Sequence, residues 1–318
     1  MRYPSLQSFH RLVFKAGSVR TSIQREGNDT VFACAMPWLA GPRTHILAHG
    51  DHWQCVGDDW LLSTDDGLAG ILTSAIDGPL DRQAEVLYQK LFALTDGLNL
   101  HRIWNFVPLI NAIGGGVENY VAFNAGRHRG FQNHFGTDCL SRLPAASALG
   151  TQSGPLALVF TAGTTRVENF ENPLQVPAPE YPARYGKNPP LFARGSRIDG
   201  HDGPHWHLSG TASIRGSETI GSSLAEQIAV TLENIQTVLD FMHVPESAKA
   251  VWKVFLRRPA DLTECRRLLA KLAPAGLKQA MFLHADICRS DLLLEIEGIY
   301  ELAAQSSARI PYRLSCQP

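Results

Sequence analysis

The chain has 318 residues, of which 44% are hydrophobic and 19% charged, and its 29 Lys and Arg against 30 Asp and Glu leave a formal net charge of −1. This length and apolar content suffice for a sizeable core and predict about two domains. A charge so close to zero provides no field that recruits nucleic acid or an anionic membrane, which favours a small-molecule partner.

Short strands and turns are predicted over residues 1 to about 75, including a strand at 30–36. Clusters of Gly and Asp indicate the turns. The following segments alternate between helical spacing of apolar residues and short apolar runs. They predict a helix over 81–94, a strand over 101–107, a helix over 117–131, and strands over 146–150 and 156–163.

Residues 164–204 differ from the segments before them, because prolines are spread through the run and little periodicity remains. This composition is typical of a long ordered connection or a domain linker. Long loops inside compact proteins often carry function. We therefore expect residues 181–195 to contribute to a functional site.

Regular patterns return after residue 205. They predict, in chain order, a strand over 207–214, a helix over 223–242, a strand over 250–256, a helix over 260–272, and strands over 279–285 and 292–299. The same kind of order precedes the proline-rich run. The fold class predicted is α+β, with two related domains packed side by side.

The cysteines are scattered and form no C-x-x-C pair, so neither a disulfide framework nor a structural zinc site is indicated. A reducing compartment fits this usage. Residues 1–17 lack the apolar core of a signal peptide, and no segment approaches the ~18 apolar residues of a membrane span. A cytoplasmic protein is predicted.

The last predicted strand carries the most informative pattern. Leu292, Leu294 and Ile296 alternate with a face that holds Glu295 and Glu297. On pattern alone, a solvated edge with both carboxylates in water is the usual interpretation. The alternative is a sheltered carboxyl group, which titrates high and serves as a general acid at neutral pH.

Three other signals favour structural roles. His201, His205 and His207 are separated by Gly and Pro, which fix no ligand geometry, so no metal site is predicted. The three glycines at 114–116 are not followed by Gly-Lys-Ser or Gly-Lys-Thr and indicate a turn. Ser209 lies in no nucleophile elbow, which argues against an acyl-transfer hydrolase.

The carboxy-terminal half resembles the RidA (YjgF) proteins through Leu-Ser-Gly-Thr-Ala at 208–212, Glu-Asn-Ile at 233–235, Lys-Val-Phe-Leu at 253–256 and Leu-Glu-Ile-Glu at 294–297. Further motifs narrow the likeness. They are Trp-Asn-Phe-Val-Pro at 104–108, Glu-Asn-Tyr at 118–120, Ala-Phe-Asn-Ala-Gly-Arg at 122–127, Glu-Asn-Pro at 171–173 and Phe-Ala-Arg at 192–194. Together they resemble the chorismatases, enzymes that remove pyruvate from chorismate.

This resemblance implies two RidA-like (YjgF-like) domains side by side, each a mixed sheet with helices packed on one face. The expected divisions are a degenerate domain over 1–163, a proline-rich connection over 164–204 that contributes to the active site, and a second domain over 205–318. It implies one active site in the cleft between them, no metal and no organic cofactor, and a pseudo-oligomeric monomer. The expected role is in secondary metabolism.

The resemblance assigns the catalytic acid to Glu295, the first glutamate of the terminal strand. In neutral form it would protonate the methylene carbon of the enolpyruvyl ether, which requires a carboxyl pKa well above the ~4.3 of free Glu. The two substrate carboxylates call for guanidinium groups and hydroxyl donors. The expected substrate contacts are Arg127, Arg194, Arg102, Tyr120, Tyr185 and Ala212.

Members of the family differ in product. The hydrolytic type yields a dihydroxycyclohexadiene carboxylate and has alanine at two pocket positions, where the type that aromatises to 3-hydroxybenzoate has glycine and cysteine. Gly195 and Cys288 match the aromatising type, so 3-hydroxybenzoate and pyruvate are expected. The alternatives are the hydrolytic product, a mixture of 3- and 4-hydroxybenzoate, and a RidA-like protein that binds a metabolite or hydrolyses imines.

Overall fold

The computed structural model describes residues 10–18, 20–74, 78–200 and 203–302. The first strands are β1 (His10–Lys15), β2 (Ser22–Glu26), β3 (Asp29–Ala33), β4 (Trp38–Ala40), β5 (Thr44–Gly50), β6 (His52–Val56), β7 (Asp59–Ser63) and β8 (Gly67–Thr73). The next elements are α1 (Leu80–Leu94), β9 (Asn99–Pro108), β10 (Ile113–Gly114), β11 (Val117–Glu118), α2 (Asn119–Phe135), β12 (Ala145–Thr151) and β13 (Ala157–Gly163).

The remaining elements run to the end of the described chain. They are β14 (Val167–Phe170), β15 (Gly195–Gly200), β16 (Gly203–Ala212), β17 (Ile214–Arg215), β18 (Glu218–Thr219), α3 (Leu224–Phe241), β19 (Lys249–Leu256), α4 (Leu262–Leu272), α5 (Pro274–Leu277), β20 (Met281–His284) and β21 (Leu294–Glu301). Short 3-10 turns lie at Gly136–Arg142, Ala178–Glu180, Ala183–Tyr185 and Pro259–Asp261.

Within the described ranges the longer strands form three sheets. A six-stranded sheet has the order β12-β9-β13-β8-β7-β6, and a seven-stranded sheet has the order β14-β15-β16-β21-β19-β20-β4. Both are mixed, since β9 pairs with β12 in parallel and with β13 antiparallel, and β19 pairs with β20 in parallel and with β21 antiparallel. A smaller sheet, β2-β3-β1-β5, comes from the amino-terminal part.

Helices cover one face of each large sheet. On α1, buried residues recur at helical spacing, among them Ala84, Leu87 and Leu91, and pack with α2 against the six-stranded sheet. Helix α3 begins with a capping box between Ser223 and Glu226 and packs on the seven-stranded sheet. Burial of each large apolar side chain contributes ~1.5–3 kcal/mol, so these faces anchor both layers.

The opposite faces of the two large sheets meet in a shared core with the small sheet. Phe14, Phe32 and Phe106 form its aromatic centre, with ring centroids of Phe32 and Phe106 4.7 Å apart. Phe255 and Ile299 of the seven-stranded sheet belong to the same cluster. This core holds the large sheets in a fixed relation, so side chains from both can build one site.

The α+β class with mixed sheets and helices on one face is confirmed. Residues 164–204 were expected to form a long ordered connection or a linker, and two strands, β14 and β15, lie there and join the seven-stranded sheet. Strand β14 escaped detection because it is a four-residue edge strand without apolar alternation. The divisions at 163 and 204 stay predictions. His201 and the last of the scattered cysteines, Cys316, lie outside the described residues.

Candidate active site

Strand β21 lies inside the seven-stranded sheet, where it pairs with β16 on one side and β19 on the other. Glu295 and Glu297 share a face of this strand because side chains two residues apart point the same way. Their exposed fractions are 4% and 3%. The solvated-edge interpretation is therefore wrong, and both carboxyl groups are buried.

Glu297 is held by a buried network. Lys253 Nζ and Trp104 Nε1 donate to its Oε1 at 2.7 and 3.0 Å, and Arg102 Nη2 donates to its Oε2 at 2.9 Å. Burial acts to raise the pKa of Glu297, but the charges of Lys253 and Arg102 and the hydrogen bonds outweigh it and lower the pKa to about 2. Glu297 is therefore ionised at neutral pH.

Glu295 has the opposite electrostatic environment. Burial raises its pKa, and the negative charge of Glu297 raises it further, to about 8, against the lowering effect of Arg102, Arg194 and Arg257. A carboxyl group with this pKa keeps its proton at pH 7. Glu295 thus has the protonation state that a general acid requires.

Glu295 lines a cavity of about 380 Å³, which we call the acid cavity. Side chains from both halves of the chain form its walls. They are Glu118, Tyr120, Val121, Tyr181, Arg184, Tyr185, Pro190, Phe192, Arg194, Gly210, Ala212, Ile214, Cys288, Arg289, Ser290, Asp291 and Glu295. The volume is within the range of small-molecule sites, and the mixture of aromatic and guanidinium groups suits an unsaturated anion.

A bulge in β16 makes room for the acid. The pairing of β16 with β21 shifts register between Leu208 and Thr211, which places Gly210 beside Glu295. A Cβ atom on Gly210 would lie 2.0 Å from Glu295 Oε1. The backbone N–H of Gly210 donates to Ser147 Oγ at 2.9 Å, which ties the bulge to β12 of the other sheet. Only glycine leaves the carboxyl group in this position.

Cys288 also lines the acid cavity. Burial raises the pKa of its thiol to about 12, and the charge of Glu295 acts in the same direction. The group is therefore a neutral thiol at pH 7, whereas a nucleophilic cysteine needs thiolate character. This agrees with a role for Cys288 in shaping the cavity rather than in attacking the substrate.

Three arginines line the acid cavity, and one of them, Arg184, is paired with Glu218. The other two are Arg194 and Arg289. Arg194 Nη2 donates to Tyr181 Oη at 2.8 Å and to the carbonyl oxygen of Val176 at 3.2 Å. Arg289 stacks 3.8 Å over the Tyr185 ring, and its Nη1 donates to the carbonyl oxygen of Ser217 at 2.9 Å. Nε of Arg194 and Nη2 of Arg289 are buried without hydrogen-bond partners among the described residues. Both therefore have donor capacity for a bound anion.

Six of the nine site residues expected from the sequence lie together around the acid cavity. They are Glu295, Cys288, Arg194, Tyr120, Tyr185 and Ala212. The other three do not line it. They are Gly195 in β15, Arg102 in the network around Glu297 and Arg127 on α2.

Gly195 does not line the acid cavity, and its expected role in selecting the product stays a prediction. A Cβ atom there would lie 2.4 Å from Met242 Sδ and 3.1 Å from Val238 Cγ1, which are core side chains packed against α3. The glycine against the acid is Gly210 instead. Sequence alone did not separate the two, because the bulge that brings Gly210 to Glu295 is a long-range feature.

Arg102 and Arg127 are both 1% exposed and lie outside the cavity wall. Arg102 is engaged by Glu297, Ser147 and Ser209, so the expectation of direct substrate contact is corrected to support of Glu297. Arg127, on α2, lies with its guanidinium carbon 5.2 Å from the Phe123 ring centroid. Its Nε and Nη2 lack partners among the described residues.

Three further residues of this region were not among the site residues expected from the sequence. Arg289 and Gly210 line the cavity, and Glu297 sets the charge next to the acid. The alternation of Glu295 and Glu297 was the available signal for the last of these. Across the described ranges, no helix has the length and apolar character to cross a membrane.

Comparison with known proteins gives a consistent family. The family model described as the N-terminal part of FkbO/Hyg5-like chorismatases matches residues 54–162. A protein named chorismatase from Streptomyces hygroscopicus is 34% identical over 253 residues, which cover 74% of this chain and 72% of that protein. The chain belongs to the chorismatase family.

Two further comparisons support this membership of the chorismatases. A protein named 3-hydroxybenzoate synthase, also from Streptomyces hygroscopicus, is 34% identical over 234 residues, which cover 67% of each chain. A crystal structure of a chorismatase superimposes with a TM-score of 0.81 and 28% identity, covering 94% of this chain and 96% of that one. The chain is therefore an enzyme of this family, with the family fold over nearly its whole described length.

Proposed function

We propose that this chorismatase-family enzyme converts chorismate to 3-hydroxybenzoate and pyruvate, with Glu295 as the general acid. One observation carries the proposal: a buried carboxyl group with its pKa raised to about 8 lies on the wall of a cavity that Arg194 and Arg289 also line. General acids work best when their pKa lies near the operating pH. Glu295 meets that condition at neutral pH.

The chemistry requires one proton at carbon. Glu295 transfers its proton to the methylene carbon of the enolpyruvyl ether and becomes a carboxylate, while the ether carbon becomes an oxocarbenium ion. The oxygen of the neighbouring ring hydroxyl then displaces the ether oxygen, which leaves with pyruvate, and it releases its proton as it bridges the two ring carbons as an epoxide. The epoxide opens so that its oxygen stays on the carbon that carried the ether and takes a proton back, which places the hydroxyl at position 3. The ring loses one proton as it aromatises, which balances the proton that Glu295 supplied. No water is added overall.

The surroundings of Glu295 favour this first step in two ways. Ionised Glu297 lies two residues away and raises the pKa of Glu295, which keeps the transferable proton on Glu295 at neutral pH. The cavity wall also includes Tyr120 and Phe192, which exclude water from the reacting ether. The proton on Glu295 therefore reaches carbon in a sheltered and electrostatically prepared site.

Anion binding is supported by the guanidinium groups of the wall. Among the described residues, Arg194 Nε and Arg289 Nη2 are buried without a hydrogen-bond partner, although Arg194 Nε lies 3.8 Å from Glu171 Oε2. Guanidinium groups bind carboxylates through short charge-assisted hydrogen bonds. We assign the two substrate carboxylates to these arginines, with Tyr120 and Tyr185 as hydroxyl donors in the same cavity.

The aromatic product is favoured over the hydrolytic one by the residues next to the acid. Cys288, which matches the aromatising type, lines the same cavity as Glu295, and its thiol is neutral and unsuited to activating water. A relative of 34% identity is named 3-hydroxybenzoate synthase. Mass balance agrees, because chorismate has the summed composition of 3-hydroxybenzoate and pyruvate.

The test is pyruvate release from chorismate by the wild type and by Glu295→Gln, with the ring product identified by chromatography. We expect 3-hydroxybenzoate from the wild type and a rate about 10²- to 10⁴-fold lower for the variant, the usual contribution of a general acid. Glu264→Gln, which removes a surface partner of Arg267, is the matched control and should keep wild-type activity.

The outcomes separate the alternatives. A dihydroxycyclohexadiene carboxylate would replace the aromatic product if the enzyme were of the hydrolytic type, and 4-hydroxybenzoate beside the 3-isomer would show mixed specificity. A RidA-like imine hydrolase would release no pyruvate, and Glu295→Gln would leave its activity unchanged. Either result would refute the corresponding part of the proposal.

A further inference from the structure

A second cavity, of about 680 Å³, lies at the other end of the strands that build the acid cavity. On β21, Glu295 lines the acid cavity and Ile299 lines the second one. On β16, Ala212 lines the acid cavity and His207 lines the second one. Among the described residues, the two cavities share no lining side chain. We call the second one the histidine cavity, defined by His45, His101, His205, His207 and Lys253.

The histidine cavity contains buried ring nitrogens without partners. His207 is 5% exposed, and its Nδ1 has no hydrogen-bond partner among the described residues. The Nδ1 of His45 is likewise buried without a hydrogen-bond partner among the described residues. A buried polar atom without a partner is unfavourable, and native structures usually satisfy such atoms with protein, water or ligand. A ligand oxygen in the cavity would satisfy these nitrogens.

A buried cluster of charges with a net positive sum lies behind the cavity wall. Lys253 and Arg102 both contact Glu297, so two buried cations face one ionised carboxylate while Glu295 is protonated. The histidines do not change this balance at neutral pH, because burial lowers the pKa of His205 to about 4 and that of His207 well below its usual value. Lys253 is the buried cation of this cluster that lines the cavity, whereas Glu301, the carboxylate on the lining, is exposed and its charge is screened by solvent. The buried part of the wall therefore favours an anion.

The rest of the lining combines apolar and polar side chains. Ile46, Trp252, Met281 and Ile299 lie around the same space, with Thr44, Thr161 and Gln279 as further polar groups. Ligand sites commonly combine such an apolar wall with a few polar groups that fix orientation. A ring can rest on the apolar side while a carboxylate reaches Lys253 and the histidine nitrogens.

We propose that the histidine cavity is a second ligand site and that it takes a small aromatic or alicyclic monocarboxylate. The carboxylate binds near Lys253 and His207, and the ring packs against Met281 and Ile299. This site is separate from the acid cavity and does not depend on the reaction proposed there. Substitutions show which cavity a ligand occupies: replacements in the histidine cavity should weaken binding there, and replacements in the acid cavity should not.

The test is calorimetric titration of the full chain with benzoate as the probe. In Ala212→Leu, the added side chain narrows the acid cavity, and we expect benzoate binding to persist. In His205→Leu and in Ile46→Trp, we expect affinity to fall at least about tenfold, because the first removes a polar group and the second fills the space. Ile46 is 38% exposed, so this variant keeps the fold even if His205→Leu does not.

Ile113→Trp is the matched control, because Ile113 is 72% exposed and lines neither cavity. It should bind benzoate as the wild type does, and thermal unfolding of each variant verifies the fold. The proposal is overturned if the wild type does not bind benzoate, if binding is lost in Ala212→Leu alone, or if the cavity takes Zn²⁺ and no benzoate. Pyruvate release is measured separately, so such a failure leaves the proposed reaction untouched.

Discussion

Glu295 and Glu297 stand on the same face of β21, two residues apart, with opposite ionisation. Both are buried, but Lys253 and Arg102 lower the pKa of Glu297 to about 2 against the effect of burial. Burial raises the pKa of Glu295 to about 8, and the charge of Glu297 contributes to that shift. The ionised residue thus helps to keep the proton on its neighbour, as expected for paired carboxyl groups with different tasks.

The first prediction concerns the alkaline limit of activity. Glu295 acts in its protonated form, so kcat/KM should fall as pH rises through its pKa, near 8 in the wild type. Glu297→Gln removes the negative charge that raises this pKa. We therefore expect the decline to begin at lower pH, measured as pyruvate release from about pH 5 to about pH 9. The control Glu264→Gln should leave the pH profile of kcat/KM unchanged. If the alkaline decline of Glu297→Gln began at the same pH as that of the wild type, the charge of Glu297 would not raise the pKa of Glu295.

The second prediction concerns stability. Glu295 keeps its proton up to about pH 8 when folded, whereas its ordinary value is 4.5. Between these values the folded state binds more protons than the unfolded chain, so the free energy of unfolding falls as pH rises, by up to ~1.4 kcal/mol per pH unit. Glu295→Gln has no titrating carboxyl group at this position, so its free energy of unfolding should lack this decrease with pH.

Urea titrations at several pH values measure this difference. The stability of Glu295→Gln relative to the wild type should increase from about pH 5 to about pH 8. Parallel stability profiles of the two proteins would show that the Glu295 proton is not retained on folding. A retained proton means that the acid is maintained at a cost to stability, as is common at functional sites.

The third prediction separates two glycines. In Gly210→Ala the new Cβ would lie 2.0 Å from Glu295 Oε1, so the carboxyl group must move, and we expect pyruvate release to fall or the ring product to change. In Gly195→Ala the new Cβ would meet Met242 Sδ at 2.4 Å, so we expect lower stability by ~1–3 kcal/mol with the product unchanged. Product analysis and urea unfolding of both variants provide the check. An altered product in Gly195→Ala alone would restore the role expected from the sequence.

Local patterns predicted much of this molecule, and long-range contacts account for the rest. Helical spacing gave α1 and α3, and alternation placed Glu295 and Glu297 on one face. Their burial could not be predicted locally, because it depends on β16 and β19 flanking β21. The partner of Arg102 is Glu297, which is 195 positions away in the chain. Only the folded sheets reveal that this arginine is already engaged.

The last prediction concerns Arg289, which the sequence analysis did not select for substrate binding. Its guanidinium lies 3.8 Å over the Tyr185 ring on the cavity wall, and Nη2 lacks a partner among the described residues. Arg289→Met removes the charge and the donors, so kcat/KM should fall about 10- to 100-fold, mostly through a higher KM, as for loss of a charged hydrogen bond. Arg197→Met is the control, because Arg197 pairs with Asp199 at 2.9 Å and does not line the cavity. Equal KM values for wild type and Arg289→Met would exclude a carboxylate at this guanidinium and leave Arg194 as the remaining anion-binding arginine proposed for the wall.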